Sequence, residues 1–258
     1  MKTAYYWYMK NGKYRELLAE RGLTDFETFW HLDRQWVEEP NRIGTGKWSG
    51  VIRVDSENGC DSFYIKQQKN YIRRTWRRPL RGEAWAAREA FNIRELRYQY
   101  KFAPVPVLYA ERQNAGDLEA VLVVKGLDGY VSLDALQEQE RFRSQRAFAG
   151  EVIAAVGLRL FEFHRQGYCH GSLYPKHIFI HPLTLDVKLI DFERLKRFRS
   201  FRRAAINDLG RLFRRTPWLR ADFMREKLLA PYFCGAGPVN ALCAGERLRD
   251  RDIRACSH

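Results

Sequence analysis

Apolar and polar residues alternate through Val51-Ile52-Arg53-Val54 and again through Phe63-Tyr64-Ile65-Lys66, the period of two that a strand imposes. Asn58-Gly59 between them is a tight-turn dipeptide, so the two runs predict an antiparallel pair. Over residues 83–100 the period lengthens to that of a helix, with Glu89, Ile93, Leu96 and Tyr100 at four-three-four spacing. A carboxylate on that apolar face needs a partner, because a lone buried charge is costly. Pro104 and Pro106 close the helix region, residues 105–109 predict another strand, and 119–124 one more before Lys125-Gly126 interrupts it.

Helical periodicity dominates from Leu133 onward. Over residues 145–166, Phe148, Val152, Val156, Arg159, Leu160 and Phe163 trace a mostly apolar stripe, and Gly167 is a natural stop. The polar stretch YCHGSLYPKHIF (168–179) follows, then short strand candidates at 178–180 and 187–190, the second ending in Asp191. The chain is therefore strand-rich with one helix to about residue 124 and mainly helical beyond it. That asymmetry predicts two lobes, 1–124 and 125–258, with a junction near residues 124–129. Within the first, Glu39-Pro40 reads as a boundary behind an aromatic and charged segment.

A length of 258 residues with 45% hydrophobic residues is enough to fill a core. The formal charge of +14, from 45 Lys+Arg against 31 Asp+Glu, favours an anionic partner: nucleic acid, phospholipid headgroups, lipopolysaccharide or nucleotide phosphate. Five arginines fall in the eleven residues 71–81, with Trp76 among them, and six basic residues fall in the ten from Arg194 to Arg203. No nucleic-acid module is recognisable around either run, which disfavours RNA or DNA. Cys60, Cys169, Cys234, Cys243 and Cys256 form neither an even set nor a Cys-x-x-Cys pair, so reduced thiols in a cytoplasmic protein are expected. The first residues, MKTAYYWYMKNGKY, lack the apolar core and cleavage site of a secretory signal. No run reaches the roughly 18 apolar residues of a membrane span, so any membrane contact is expected to be peripheral.

Asp191 leaves an apolar strand end, where a carboxylate either holds a divalent cation bridging phosphate oxygens or caps a turn. His177 could offer an imidazole nitrogen to the same ion, and His170 could brace the loop by bridging backbone groups through both ring nitrogens. As a zinc pair the two histidines lack the regular ligand spacing. Gly44, Gly46 and Gly50 loosen the chain at a hairpin entry without meeting a phosphate-loop pattern. Lys66 ends an alternating strand, where it either pairs with Glu89 and holds a phosphate or is simply solvated.

In order, the Gly-rich hairpin, Lys66, Glu89, HGSLYPKH and IDFE resemble a protein-kinase-like phosphotransferase. More narrowly, RRTWRRPLRGEAW, YCHGSLYPKHIFI, VKLIDFERLKRF and NDLGRLF resemble the bacterial lipopolysaccharide kinase family of heptose and Kdo kinases, which includes InaA-type proteins. The resemblance spans about residues 40 to 215. It implies an α+β, bilobal protein-kinase-like fold, with an antiparallel-sheet N-lobe and a mainly helical C-lobe. It further implies ATP and Mg²⁺ as cofactors and an anionic glycolipid acceptor met at the inner membrane surface. Lys66 would contact the α- and β-phosphates and pair with Glu89, with Gly44 and Gly46 near the phosphates. The backbone near Val123 and Lys125 would meet the adenine. Asp191 and His177 would hold metal, His170 would brace the catalytic loop, and Asp208 would steady that loop from below.

Ser172 departs from the pattern. It stands where kinases place the aspartate that orients the acceptor hydroxyl and takes its proton, and a neutral hydroxyl cannot serve as that base unaided. Two readings follow: a transferase that works by positioning and charge stabilisation, or a nucleotide-binding pseudokinase with a regulatory or stress-related role.

Overall fold

A computed structural model describes residues 5–8, 12–75, 78–99 and 101–234. Of the positions singled out above, Trp76, Arg77, Tyr100, Cys243 and Cys256 lie outside them, as do the side chains of Arg78, Arg81 and Cys234. The chain divides into two compact units, Met1–Asp128 and Gly129–His258.

The first unit opens with β1 (Tyr5–Tyr8), α1 (Gly12–Glu20), α2 (Phe26–Trp30), β2 (Asn41–Arg42), β3 (Trp48–Asp55) and β4 (Ser62–Lys69). A separate hairpin, β5 (Ile72–Thr75) and β6 (Arg78–Ala84), leads into α3 (Trp85–Gln99), then β7 (Pro106–Asn114) and β8 (Asp117–Lys125). Six strands form one antiparallel sheet in the order β1-β7-β8-β4-β3-β2. Alternation along β4 explains how that sheet is covered. Phe63 and Ile65 join Leu17, Leu18, Phe26, Phe29 and Trp30 in one apolar cluster, and Gln67, fully buried among them, donates to the Phe29 carbonyl at 2.7 Å. Lys66 and Gln68 point the other way, toward α3.

Two expectations change. Glu39-Pro40 is no boundary: Trp36 bridges to Ile52 on β3, and α1 and α2 bury their apolar residues against the sheet. The helix begins at Trp85 rather than residue 83, because Ala84 and Glu83 pair with Ile72 and Arg73 across the β5–β6 hairpin and Glu83 binds Arg73 at 3.0 Å.

The second unit holds β9 (Val131–Ser132), α4 (Leu133–Glu138), α5 (Glu140–Ser144), α6 (Arg146–Arg165), β10 (Tyr168–Cys169), β11 (Ile178–Ile180), β12 (Val187–Leu189), β13 (Lys196–Arg197), α7 (Phe201–Arg215) and α8 (Asp222–Cys234). Helix α6 is its axis, with Val152, Ile153, Val156, Leu160 and Phe163 all fully buried. Arg159 stands in this stripe because it reaches Asp186 in the β11–β12 turn at 2.7 Å, so the charge in the pattern is paired rather than misplaced. Gly157 lets α8 close against α6: a Cβ there would sit 2.2 Å from the Leu228 carbonyl oxygen, an immovable backbone atom. Gly157→Ala should therefore cost about 1–3 kcal/mol through overpacking, read as a lower urea midpoint. An unchanged midpoint would refute this packing role.

Candidate active site

Lys66 and Glu89 meet in the first unit with Nζ and Oε2 2.5 Å apart, both largely shielded from solvent. The neighbouring residue of the same strand face sets this up. Gln68 accepts a hydrogen bond from the Ala86 amide at 2.8 Å, satisfying a donor in the first turn of α3 that has no partner within the helix. One turn on, the helix delivers Glu89 to the lysine. The sequence thus uses consecutive outward positions of β4, one to dock the helix and one to receive its carboxylate.

Gly44 and Gly46 both carry positive φ, 65° and 73°, in the turn between β2 and β3, with open space around them. Gly50 serves packing instead: a Cβ there would lie 2.5 Å from the Trp36 ring. Val123 is enclosed in the ladder between Ile65 and Leu108. The Lys125 amide donates to Val105 at 2.8 Å and the Gly126 amide to Ser62 at 2.7 Å. The Lys125 ammonium is claimed by Asp61, at 3.2 Å, and by Asp128, which also accepts from Ser62 Oγ at 2.5 Å. Burial lowers the Lys125 pKa, but Asp128 and Asp61 outweigh it and hold the value above normal.

In the second unit α7 carries a fully buried carboxylate into the stretch 168–179. Asp208 accepts from the His170 amide at 2.5 Å, the Gly171 amide at 2.9 Å, His164 Nε2 at 3.2 Å and Cys169 Sγ at 3.4 Å. Burial alone would raise its pKa. The hydrogen bond and charge of His164, with help from His170 and the Gly171 amide, prevail and keep it below the usual carboxylate value. Burial, with the charge of Asp208 beside it, pushes the Cys169 thiol up to about 12, so this cysteine is a weak donor and no nucleophile. Gly171 is required where it is, since φ is +77° and a Cβ would meet the Arg194 carbonyl oxygen at 2.5 Å.

His170 spans two backbone groups. Nε2 lies 2.8 Å from the Ile190 carbonyl oxygen and Nδ1 accepts from the Ser172 amide at 3.3 Å. His177 is oriented by the same loop, its Nδ1 lying 2.7 Å from the Ser172 carbonyl oxygen. A carbonyl oxygen only accepts, so Nδ1 carries the proton, and in the neutral ring Nε2 is bare. That bare nitrogen stands 3.5 Å from the Asp191 carboxylate. Burial pulls the His177 pKa down against the opposing pull of Asp191, favouring the neutral ring. A bare imidazole nitrogen facing a carboxylate oxygen is a donor set that fits a divalent ion.

Asp191 adopts a left-handed conformation, φ 65° and ψ 63°, which Asp and Asn tolerate better than other non-glycine residues. Glu193 sets a carboxylate oxygen within 4.8 Å of one from Asp191. The sequence reading does not single out Glu193 as a ligand, and its closeness to Asp191 in the chain was the available signal. His164 and Tyr232, whose Nδ1 and hydroxyl are hydrogen-bonded at 2.7 Å, were hidden in apolar helices.

An antiparallel sheet with a lysine–glutamate pair, followed by a helical unit with a braced loop and a histidine–aspartate pair, has the makeup of a protein-kinase-like fold. A solved structure described as WaaP in complex with acyl carrier protein shares that fold at a TM-score of 0.56 and 18% identity, covering 88% of this chain and 89% of that one. The model of the lipopolysaccharide kinase (Kdo/WaaP) family matches residues 27–232, and the chain belongs to that family. Protein InaA of Escherichia coli (strain K12) is 28% identical over 188 residues, spanning 71% of this chain and 83% of InaA. Among the described residues no helix is long and apolar enough to cross a membrane.

Proposed function

We propose that the protein is an ATP-dependent phosphotransferase that phosphorylates a sugar hydroxyl of the lipopolysaccharide inner core, on a heptose or Kdo-like unit. The observation that carries this reading is the bare His177 Nε2 facing the Asp191 carboxylate at 3.5 Å, in a chain of the lipopolysaccharide kinase family. His177 and Asp191 hold Mg²⁺, with Glu193 in reach, and the ion when bound offsets charge on the phosphates. Lys66, fixed by Glu89, engages the α- and β-phosphates, and the open turn at Gly44 and Gly46 leaves its amides available to them. Because Val123 is enclosed in the sheet and the Lys125 and Gly126 amides are engaged by Val105 and Ser62, adenine recognition falls to the backbone carbonyl groups of Lys125 and Gly126. The acceptor oxygen bonds to phosphorus as the bond to ADP breaks, and its proton passes to water or a phosphoryl oxygen. His170 and Asp208 position the loop beside that exchange. The basic surface suits an anionic glycolipid at the cytoplasmic face of the inner membrane.

Ser172 favours a second reading, a nucleotide-binding pseudokinase. It is nearly buried, at 7% exposure, and its main chain is fully engaged with His170 and His177. One experiment separates the two. Calorimetry with Mg²⁺ and ATP should show binding that Lys66→Met abolishes, and γ-labelled ATP should label core oligosaccharide. Ser172→Asp should then raise the rate by about 10²-fold, the usual reach of a positioned base. Nucleotide binding with no transfer by the wild type, and transfer gained only by Ser172→Asp, would establish the pseudokinase.

A further inference from the structure

A cavity of about 470 Å³ lies in the second unit between the end of α6 and the start of α7, lined by Arg165, Arg197, Phe198, Arg199 and Phe201 with Gln166 and Gly167. Across Ser200, a second cavity of about 280 Å³ is lined by Arg202, Arg203, Ile206 and Asn207. Neither lining contains a carboxylate. Some arginines of the described residues pair with acids, as in Arg73–Glu83, Arg112–Glu119 and Arg159–Asp186. Here one arginine of each cavity lies over an aromatic ring. The Arg197 guanidinium lies 5.4 Å from the Tyr168 ring centre and that of Arg203 lies 5.3 Å from Phe198. A guanidinium over a ring still has N–H groups to offer an acceptor, and its fork matches two phosphate oxygens.

The wall is rigid. The Phe198 amide donates to the Gly167 carbonyl at 2.7 Å, and a Cβ on Gly167, at φ +79°, would come within 2.4 Å of the Phe198 carbonyl oxygen. The volume falls in the range of about 300–1,000 Å³ usual for small-ligand sites. We propose that this cavity binds a phosphate-bearing ligand, a phosphomonoester or pyrophosphate group, gripped by the forks of Arg165, Arg197 and Arg199. The site also touches the loop: β13 pairs Arg197 with Tyr168 and Lys196 with Cys169, directly before His170. A bound phosphate therefore anchors the strand that enters the catalytic-type loop. Under the proposed function, a phosphate already on the acceptor is its natural occupant.

The test titrates full-length protein, in Mg²⁺ and excess non-hydrolysable ATP analogue, with inorganic pyrophosphate, a hexose 6-phosphate and the unphosphorylated hexose. Saturable binding of the phosphate-bearing probes and none of the plain hexose is expected. Arg197→Gln combined with Arg199→Gln should weaken it at least about tenfold, and the paired lysine variant should recover only part, having charge without the fork. Tighter hexose phosphate points to a sugar-linked phosphate, and tighter pyrophosphate to a free anion; either order supports the site. Unchanged affinity in a double glutamine variant that melts with the wild type overturns it, as does loss of binding in Lys66→Met. Failure to bind the nucleotide analogue would sink the phosphotransferase reading alone, because the anion titration does not depend on it.

Discussion

Asp191→Asn should lower phosphoryl transfer about 10³-fold, or about 4 kcal/mol of transition-state stabilisation, the scale of losing a key charge-stabilising group. The size of the effect follows from what the carboxylate faces. It faces the bare Nε2 of His177 at 3.5 Å, a nitrogen that offers no proton while the Ser172 carbonyl holds the hydrogen on Nδ1. A neutral amide cannot supply the negative charge that makes this pair a cation site. Asparagine is the informative substitution because it tolerates the left-handed backbone at φ 65°, so folding is retained and the loss is chemical. Mn²⁺ titration followed by electron paramagnetic resonance gives a reading independent of turnover: affinity should fall along with the rate. Wild-type Mn²⁺ affinity in Asp191→Asn, or a rate loss under tenfold, would remove Asp191 from the metal site.

Much of this arrangement was legible in the sequence, and the reasons are local. Lys66 and Glu89 could be matched because a carboxylate on an apolar helix face demands a cation, and an alternating strand ended in one. The hairpin that presents His177 and Asp191 was readable from two short apolar runs around a turn. What escaped was set by distant contacts. Gln67 and Gln68 look like solvent-facing polar residues, yet one is buried against α2 and the other receives the first turn of α3. The segment before Pro40 looked separable because its mixed aromatic and charged pattern has no clear period. Its place emerges only when Phe26, Phe29 and Trp30 find the sheet. His164 gave no signal at all, since a histidine within an apolar helix reads as an interruption until Asp208 and Tyr232 are seen on its two nitrogens.

Asp208→Ala should destabilise the second unit by about 3–5 kcal/mol, the usual cost of removing one partner from a buried charged network. The carboxylate serves two backbone amides, a histidine and a thiol at once, with no exposure to water. Alanine would strand all four donors, and the Gly171 turn could not swing out to hydrate them without disturbing the Arg194 backbone packed against it. Amide exchange locates the effect: protection at His170 and Gly171 should collapse before that of α6. The pH dependence follows from the lowered Asp208 value. A carboxylate whose folded pKa is depressed adds stability that is complete above its unfolded pKa and is lost as pH falls through the lower folded one. Wild type should therefore lose stability in acid across that interval, whereas Asp208→Ala, already without the contribution, should have a flatter acid limb. Asp208→Asn keeps one acceptor oxygen and should fall between the two. If protection at His170 and Gly171 survives in Asp208→Ala and the unfolding free energy drops by less than about 1 kcal/mol, Asp208 does not hold the loop, and the roles of His170 and His177 lose their common support.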